Sequence, residues 1–282
     1  MSALGHTSLP SVLLAGRRAV ITGAGSGIGA QVAYTLAEVG AAVVVLDSNH
    51  ALATQTTQRI NEEIEGGRAI AVRADVTDHE DLSRGFVEIA SHFGGALEIF
   101  VSNAGVNFPC RVEDLLLPGE IAKLDKMYQV NQRGALLCAA SAYPLLLTGR
   151  DPTFLLIGSC ASQGSEGQAG YAATKAALRG VLGTLAREWA ATPNRQAVRV
   201  NMIEPDYFEK TPLRSDAYLK ALAASRRTAV EKIANEEVAK TRVPLRREGR
   251  LLEIAEKVAM LVLSTYNHGH VDIMSGGKTL RL

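Results

Sequence analysis

The sequence has few cysteines, and their arrangement excludes several kinds of site. Cys110, Cys138 and Cys160 are odd in number and widely spaced, and no CxxC pair occurs. This pattern argues against a disulfide framework and against a zinc site. Cys138 and Cys160 lie in apolar runs, which predicts small buried side chains. No HExxH segment or cluster of histidine and cysteine is present, so we expect no metal.

Long apolar runs and an excess of charge are also missing. No run approaches the roughly 18 residues that a membrane-spanning helix needs. The formal net charge of +1 gives no reason to expect nucleic acid or a membrane surface as the main partner. Residues 1–15 lack the basic start and long apolar segment of a secretion signal. We therefore expect a loose N-terminal arm there and a cytoplasmic location.

The remaining residues, 16–282, are enough for one large α/β domain. Short runs such as AAVVVL and TFLLIGS are apolar throughout, as in strands covered on both faces, and they alternate with stretches of helical spacing. This order predicts a three-layer, doubly wound parallel sheet with about seven strands. Strands are predicted near 18–22, 41–46, 69–73, 98–102, 153–158, 197–203 and 270–273, and helices over 28–39, 52–64, 81–92, 121–147, 171–191 and 251–264.

A long insertion at about 206–250 precedes the last helix and strand. It holds 11 Lys and Arg against 7 Asp and Glu, and it is predicted to be helical and to cover the carboxyl edge of the sheet. One interpretation is a solvated helical flap, as charged stretches usually are. The other is a substrate lid with a mild preference for anionic or polyhydroxy compounds.

A glycine-rich loop, TGAGSGIGA at 22–30, follows the first predicted strand. Its glycines allow a tight turn and a close approach to a pyrophosphate, which the next helix would meet with free N–H groups. The spacing fits GxGxxA through Gly25, Gly27 and Ala30, and also a wider GxxxGxG. The predicted cofactor contacts in this loop are Gly23, Ser26, Gly27, Ile28 and Gly29.

Asp47 ends the second predicted strand, 18 residues after Gly29. A carboxylate there can accept hydrogen bonds from both adenosine ribose hydroxyls and would repel a 2′-phosphate. The loop carries Ser26 where a cation could stand, and residues 48–50 add no strong cation. These features favour NAD over NADP. The alternative is that Asp47 is only a helix cap or a turn residue.

The third and fourth predicted strands also end in polar turns, at the edge where open α/β sheets bind ligands. Asp75, followed by Val76, is placed to hold the adenine amino group. Asn103, Ala104 and Gly105 are placed to form a wall beside the adenine ribose. Taken singly, each segment could be merely a turn.

Tyr171 and Lys175 occur in YAATK at the start of a long helix. Residues four apart share a helix face, so both side chains point the same way. A nearby ammonium favours the tyrosinate, and a tyrosine tuned in this way can move a proton to or from a substrate oxygen. This is the proton transfer that accompanies hydride transfer at an alcohol carbon.

In these motifs the sequence resembles the short-chain dehydrogenase/reductase family over nearly its whole length. TGAGSGIG, Asp47, Asp75-Val76, SNAG at 102–105, Asn131, Ser159, YAATK and the Pro205 region occur in the family's order. The resemblance implies a Rossmann fold and a nicotinamide cofactor.

The resemblance also implies a catalytic set of Asn131, Ser159, Tyr171 and Lys175. Ser159 would hydrogen-bond the substrate oxygen; it lies 12 residues before Tyr171, and Ser162 is a rival. Lys175 would bind the nicotinamide ribose and lower the pKa of Tyr171. Asn131 would interrupt its helix locally and hold a water that links Lys175 to solvent.

The family pattern is broken after the sixth predicted strand. Asp206 stands where the family usually has glycine after Pro205, and Thr211 lies about one residue further on than is common. Asp tolerates unusual backbone angles less well than Gly. Contacts of Pro205, Tyr207 and Thr211 with the nicotinamide carboxamide are nevertheless predicted.

The substrate pocket is expected between 106–111, 159–167 and the insertion. Its candidate side chains are polar with a few aromatic ones: Asn107, Phe108, Arg111, Cys160, Gln163, Glu166, Tyr207 and Phe208. They favour a sugar, a polyol or another polar carbonyl compound. Small residues on the helices at 121–147 and 171–191 allow close packing, and the resemblance implies a homodimer or homotetramer.

The leading functional hypothesis is an NAD-dependent oxidoreductase that interconverts a secondary alcohol and a ketone. The alternative is a non-catalytic dinucleotide-binding sensor or scaffold of the same fold. An epimerase or dehydratase of the extended family is excluded, because the chain is too short and its glycine spacing differs.

Overall fold

The computed structural model describes residues 4–191, 195–209, 211–233 and 242–279. Its centre is one sheet of seven parallel strands in the order β3-β2-β1-β4-β5-β6-β7. The predicted doubly wound α/β fold is therefore confirmed. The strands are β1 (Arg18–Thr22), β2 (Ala42–Asp47), β3 (Arg68–Arg73), β4 (Ile99–Ser102), β5 (Thr153–Ile157), β6 (Arg199–Pro205) and β7 (His270–Met274).

Helices cover both faces of this sheet, which explains why its strands are apolar throughout. The helices are α1 (Gly27–Glu38), α2 (His50–Glu63), α3 (His79–Phe93), α4 (Glu120–Met127), α5 (Gly134–Leu146), α6 (Ala169–Glu188), α7 (Asp216–Ser225) and α8 (Leu251–Leu263). Successive strand residues point to opposite faces. Ile21 of β1 packs into a core with α1 and α8, whereas Val20 belongs to the core beneath α3, α5 and α6.

The helix predicted over 121–147 is not continuous. A π-helical segment, Tyr128–Arg133, separates α4 from α5. Such bulges are uncommon inside helices and frequently mark functional sites. Asn131, which is buried, lies in this segment, as the family resemblance implied. None of the helices in the described part of the chain is both long enough and apolar enough to cross a membrane.

The N-terminal arm was predicted to be loose, but residues 4–15 pack against the domain. The backbone N–H of Gly5 donates to Gln31 Oε1 of α1 at 2.8 Å, and Thr7 Oγ1 donates to Glu256 Oε1 of α8 at 2.7 Å. Leu14 is fully buried. Residues 1–3 lie outside the described part.

In its described residues, the insertion contains one helix, α7, and two short 3-10 turns at Pro212–Arg214 and Val230–Lys232. Ser215 caps α7 by accepting a hydrogen bond from the backbone N–H of Tyr218. Leu219, Leu222 and Ala223 of α7 form a small apolar cluster with Ile233. The part of the predicted lid at 210 and 234–241 lies outside the described residues.

Candidate active site

A cleft of about 850 Å³ runs along the carboxyl edge of the sheet. It lies above the neighbouring strands β1 and β4, and the chain leaves these two strands in opposite directions. Ligands of open α/β sheets usually bind at such a point. The cleft is lined by the predicted residues Gly23, Ser26, Gly27, Ile28, Asp47, Asp75, Val76, Asn103, Ala104, Gly105, Ser159, Tyr171, Lys175, Pro205, Tyr207 and Thr211. Of the predicted site residues, Gly29 and Asn131 do not line it.

The glycine loop at one end of the cleft is shaped by close backbone approaches. Gly23 and Gly27 have φ of +63° and +56°, in the left-handed region that favours glycine. A Cβ on Gly29 would lie 2.3 Å from the carbonyl oxygen of Gly23, so this glycine lets α1 pack on the turn. Ser26 at the start of α1 makes no side-chain cap. The helix therefore presents free N–H groups to the cleft, which fits a dinucleotide pyrophosphate.

Asp47 lies at the end of β2 beside this loop. Its Oδ2 accepts a hydrogen bond from the backbone N–H of Gly25 at 2.9 Å, and its Oδ1 accepts one from Asn49 at 2.9 Å. The cap of α2 is Asn49 and not Asp47. Each carboxylate oxygen can accept a further bond, so the turn contacts leave Asp47 able to bind a ribose.

Asp75 and Asn103 shape the neighbouring turns. Asp75 Oδ1 accepts two hydrogen bonds from Thr77, both of 2.8 Å. Burial acts to raise the pKa of Asp75, but these two bonds lower it on balance. Asn103 Nδ2 donates to the carbonyl of Thr22 at 2.9 Å, which fixes the β4 turn against the glycine loop. Both residues thus have structural contacts as well as a place in the cleft wall.

Tyr171, Ser159 and Lys175 come together in the middle of the cleft. The Ser159 hydroxyl accepts a hydrogen bond from the backbone N–H of Ala161 at 3.1 Å and lines the cleft together with Tyr171. Lys175 Nζ lies 5.8 Å from the centre of the Tyr171 ring and donates to the carbonyl of Ile157 at 2.8 Å. Tyr171 and Lys175 are both buried, 8% and 4% exposed, so their acid–base groups are largely shielded from water.

Burial dominates the acid–base properties of this pair. It raises the pKa of Tyr171 well above its ordinary value, and the Ser159 hydroxyl lowers it only in part. Burial lowers the pKa of Lys175 to about 8, with Glu204 acting in the opposite direction. In the protein alone, loss of hydration therefore outweighs the lowering of the Tyr171 pKa that the resemblance implies.

Asn131 sits behind the cleft. Its Oδ1 accepts from the backbone N–H of Val106 at 2.8 Å, and its Nδ2 donates to the Val106 carbonyl at 2.9 Å and to Thr174 Oγ1 at 3.1 Å. The π-helical segment thus aims this side chain at the loop after β4 and at α6. The water between Asn131 and Lys175 remains a prediction.

Glu204 gives the two candidate serines different surroundings. It is fully buried on β6 and forms an ion pair with Arg179 Nη2 at 2.6 Å. The Ser162 hydroxyl donates to Glu204 Oε1 at 3.2 Å. Ser162 is therefore engaged away from the cleft, whereas Ser159 lines the cleft beside Tyr171.

Asp206 does not need the freedom of the glycine that it replaces. Its φ is not in the left-handed region. Its carboxylate pairs with Lys278 Nζ at 2.9 Å. The same ammonium lies 5.9 Å from the centre of the Tyr207 ring, and the Arg214 guanidinium lies 4.7 Å from it on the ring face. Tyr207 is thus held between cations at the cleft wall.

The sequence analysis missed several residues of the wall, and three of them are polar neighbours. Gln168 precedes α6, and Tyr218 and Arg226 lie on and just after α7; all three line the cleft. They are brought together by the packing of α7 on the 164–168 loop, which no local sequence signal reveals. Of the pocket candidates, Asn107, Cys160, Gln163, Tyr207 and Phe208 line the cleft, whereas Phe108, Arg111 and Glu166 do not.

Comparison with known proteins identifies the protein family of this chain. A family model described as short chain dehydrogenase matches residues 17–221. Sorbitol-6-phosphate 2-dehydrogenase of Klebsiella pneumoniae is 29% identical over 268 residues, covering 92% of this chain and 95% of the relative. The solved gluconate 5-dehydrogenase of Burkholderia cenocepacia, in complex with NADP and tartrate, is 27% identical with a TM-score of 0.79, covering 96% of this chain and 99% of its own.

A second solved structure contains NADH where the first contains NADP. The 3-ketoacyl-(acyl-carrier-protein) reductase of Brucella melitensis, complexed with NADH, is 28% identical with a TM-score of 0.77, covering 95% of this chain and all of its own. The chain belongs to the short-chain dehydrogenase family. It is an oxidoreductase of a family that uses a nicotinamide dinucleotide and acts on small molecules.

Proposed function

We propose that this protein interconverts a secondary alcohol and a ketone, with Tyr171 as the acid and base. The observation that carries the proposal is that Tyr171 is buried one helical turn from Lys175, in the same cleft as Ser159 and the glycine loop. When bound, the nicotinamide ring supplies or accepts the hydride. The protein supplies position and proton transfer.

Each residue has a separate task. Ser159 orients the substrate oxygen and donates to it. Tyr171 gives its phenolic proton to the carbonyl oxygen in reduction and takes it back in oxidation. Lys175 favours the tyrosinate by its positive charge and binds the nicotinamide ribose. Asn131 is a positioning residue, because it acts through Val106 and Thr174.

We propose NAD rather than NADP as the preferred cofactor. The Asp47 carboxylate stands beside the glycine loop, where it would accept from ribose hydroxyls and repel a 2′-phosphate. The relatives do not decide this point, since one solved structure carries NADP and another NADH.

The proposal also covers the substrate class, the oligomeric state and the cellular location. The polar residues of the cleft favour a sugar, a polyol or another polar carbonyl compound. The exposed small residues of α6 favour a homodimer or homotetramer. A cytoplasmic location is our expectation from the sequence.

The test is a steady-state assay at 340 nm with sugars, polyols and ketones, run with NAD(H) and NADP(H) in parallel. The wild-type protein should turn over members of this panel with NAD(H). Tyr171→Phe should lower kcat by about 10²- to 10⁴-fold, because the proton donor is lost. Binding of NADH, followed by its fluorescence, should stay within about 3-fold of the wild type, since that change is below about 1 kcal/mol.

The matched control is Tyr266→Phe, which makes the same change at a side chain that is 98% exposed. This variant should keep wild-type kcat. Wild-type turnover by Tyr171→Phe would overturn the mechanism. A strong preference for NADP(H) would overturn the role of Asp47 alone, and NAD binding without turnover of any compound would favour a sensor or scaffold.

A further inference from the structure

The cleft contains a polar cluster that the proposed proton transfer does not use. It consists of Asn107 after β4, Gln168 before α6 and Tyr218 on α7, and we call it the amide–phenol cluster. Gln168 Nε2 donates a hydrogen bond of 2.6 Å to the Tyr218 hydroxyl, and Asn107 Nδ2 donates to the same oxygen at 3.4 Å. Asn107 and Gln168 are more than nine-tenths buried, with 9% and 6% of their surfaces exposed.

Two hydrogen-bonding groups of this cluster are left over. Asn107 Oδ1 is buried and has no hydrogen-bond partner among the residues that the structure describes. The Tyr218 oxygen accepts from both amides, so its own O–H proton is not used in these two bonds. Buried polar groups in native proteins are nearly always paired, so an orphan in a ligand cleft points to a ligand.

The cluster is held in place from three sides. Ser165 Oγ donates to Gln168 Oε1 at 2.7 Å and accepts from Arg226 Nη2 at 3.0 Å. The loop lies so close to α7 that a Cβ on Gly167 would come within 2.3 Å of Ser225 Oγ. On the other side, Asn131 fixes the backbone of Val106, the neighbour of Asn107. The leftover groups are therefore preorganised.

The two leftover groups, the Asn107 Oδ1 acceptor and the Tyr218 O–H donor, together match a hydroxyl group of a ligand. A hydroxyl donates to Asn107 Oδ1 and accepts from the Tyr218 O–H, whereas a ketone oxygen only accepts and an ammonium only donates. The cluster is also near the reacting group, since it lines the same cleft as Tyr171 and Gln168 is the N-cap residue of α6, three residues before Tyr171.

We propose that Asn107 and Tyr218, oriented by Gln168, bind a second hydroxyl of the substrate close to the reacting carbon. The enzyme then acts on vicinal diols and α-hydroxy ketones in preference to simple alcohols and ketones. This inference rests on the proposed function and narrows its substrate class.

The experiment compares kcat/KM for matched ketones with NADH. The pairs are 2-hydroxycyclohexanone with cyclohexanone and 3-hydroxy-2-butanone with 2-butanone. The wild type should prefer the hydroxylated member by about 10-fold or more. Asn107→Leu and Tyr218→Phe should each lower kcat/KM for the hydroxylated ketones by about 5- to 100-fold, because a buried partner is left unpaired. The unsubstituted ketones should change by less than about 3-fold, a factor that corresponds to under 1 kcal/mol.

The matched controls are Gln129→Leu, at an exposed amide outside the cleft, and Tyr266→Phe. A second readout uses the Tyr171→Phe protein, in which adding Asn107→Leu should weaken binding of 3-hydroxy-2-butanone in a saturation-transfer NMR titration. If Asn107→Leu does not fold, Tyr218→Phe carries the same test, because it keeps the ring.

Two results would overturn the inference. One is an equal loss on both members of a pair, which would make the cluster structural. The other is a wild type that does not prefer, or does not turn over, the hydroxylated members. Turnover of simple ketones in that case would leave the proposed function intact, whereas Tyr171→Phe tests that function separately.

Discussion

At the scale of single residues, the fold holds Lys175 in a position that is costly for a charged side chain. The ammonium is buried, and its hydrogen bond to a described residue goes to the backbone carbonyl of Ile157. A carbonyl dipole replaces only part of the hydration that the charge loses. In the proposed function this charge acts on Tyr171 and on a ribose, so the site would trade stability for function.

This cost predicts a pH dependence of stability without cofactor. The pKa of Lys175 falls from 10.5 to about 8. Between these values the unfolded chain binds more protons than the folded one, so this residue makes stability rise with pH. Lys175→Met removes the contribution. The free energy of unfolding in urea, taken as wild type minus Lys175→Met, should therefore increase from pH 7.5 to about pH 9.5.

The control for this measurement is Lys220→Met, at an exposed lysine of α7. Its difference from the wild type should be the same at both pH values. The range stops below pH 10 because the raised pKa of Tyr171 makes stability fall above the ordinary tyrosine pKa of 10.0. A difference for Lys175→Met that stays constant or shrinks with pH would contradict the prediction.

At the scale of elements, one arginine joins the last helix to the sheet. Arg199 begins β6 and is 5% exposed. Its Nη1 donates to the carbonyl of Ser264 at 2.9 Å and its Nη2 to that of Val262 at 2.8 Å. These are carbonyls at the C-terminal end of α8, which have no partner within the helix and carry partial negative charge. Arg199 therefore works as a side-chain cap.

Arg199→Met should lower the free energy of unfolding by about 2–3 kcal/mol, since it leaves buried carbonyls unpaired. Arg199→Lys should lose less, because an ammonium keeps the charge but not the planar fork of donors. Urea unfolding followed by circular dichroism measures both changes. The matched control is Arg187→Met, at an exposed arginine of α6. A loss below about 0.5 kcal/mol for Arg199→Met would show that the cap contributes little, as for ordinary surface changes.

The sequence predicted helices and strands well wherever the pattern of apolar residues determines them. All seven strands were placed within a few residues, because strands covered on both faces are continuous apolar runs such as AVVVLD in β2. Periodicity alone predicted one helix over 121–147, and the local interruption at Asn131, where the π-helical segment lies, was implied only by the family resemblance. The contacts of the N-terminal arm were missed because they join residues as far apart as Thr7 and Glu256.

The site was predictable where motifs are local. The glycine loop, the Tyr171–Lys175 pair and the strand-end turns do lie along one cleft. The hydrogen bond that turns Ser162 away from the cleft depends on Glu204, a buried carboxylate 42 residues further along the chain. The amide–phenol cluster needed the packing of α7, and the direction of the Tyr171 pKa needed its burial. These properties belong to the tertiary structure.

At the scale of the whole molecule, the surface suggests how copies would associate. Along α6, Ala173, Ala176, Gly180 and Thr184 form an exposed stripe of small residues. A Cβ added to Gly180 would meet no described atom within 4 Å. The nearby segment before and in α5 exposes Tyr128 and Leu136, by 40% and 46%. A small-residue stripe beside exposed apolar side chains suits a close pairing of helices across a two-fold axis.

Sedimentation velocity should therefore give a mass of two or four times the 30.0 kDa of one chain. Gly180→Glu should shift the protein towards a lower mass, because it places a charge in the paired stripe; folding should survive, since glutamate favours a helix over glycine. The control is Gln58→Glu on the exposed face of α2. A wild type that sediments as a single chain, or a Gly180→Glu protein of unchanged mass, would refute the pairing.

The hydrogen bond between Thr7 and Glu256 spans 249 positions of the sequence. During synthesis, the ribosome releases the segment around residue 7 long before α8 exists, so this segment must wait for nearly the whole polypeptide before it can dock. Domains generally fold as units during synthesis. The segment around residue 7 would therefore be among the last parts of this protein to dock. In a nascent fragment that ends before α8, this segment would stay accessible to proteases and chaperones.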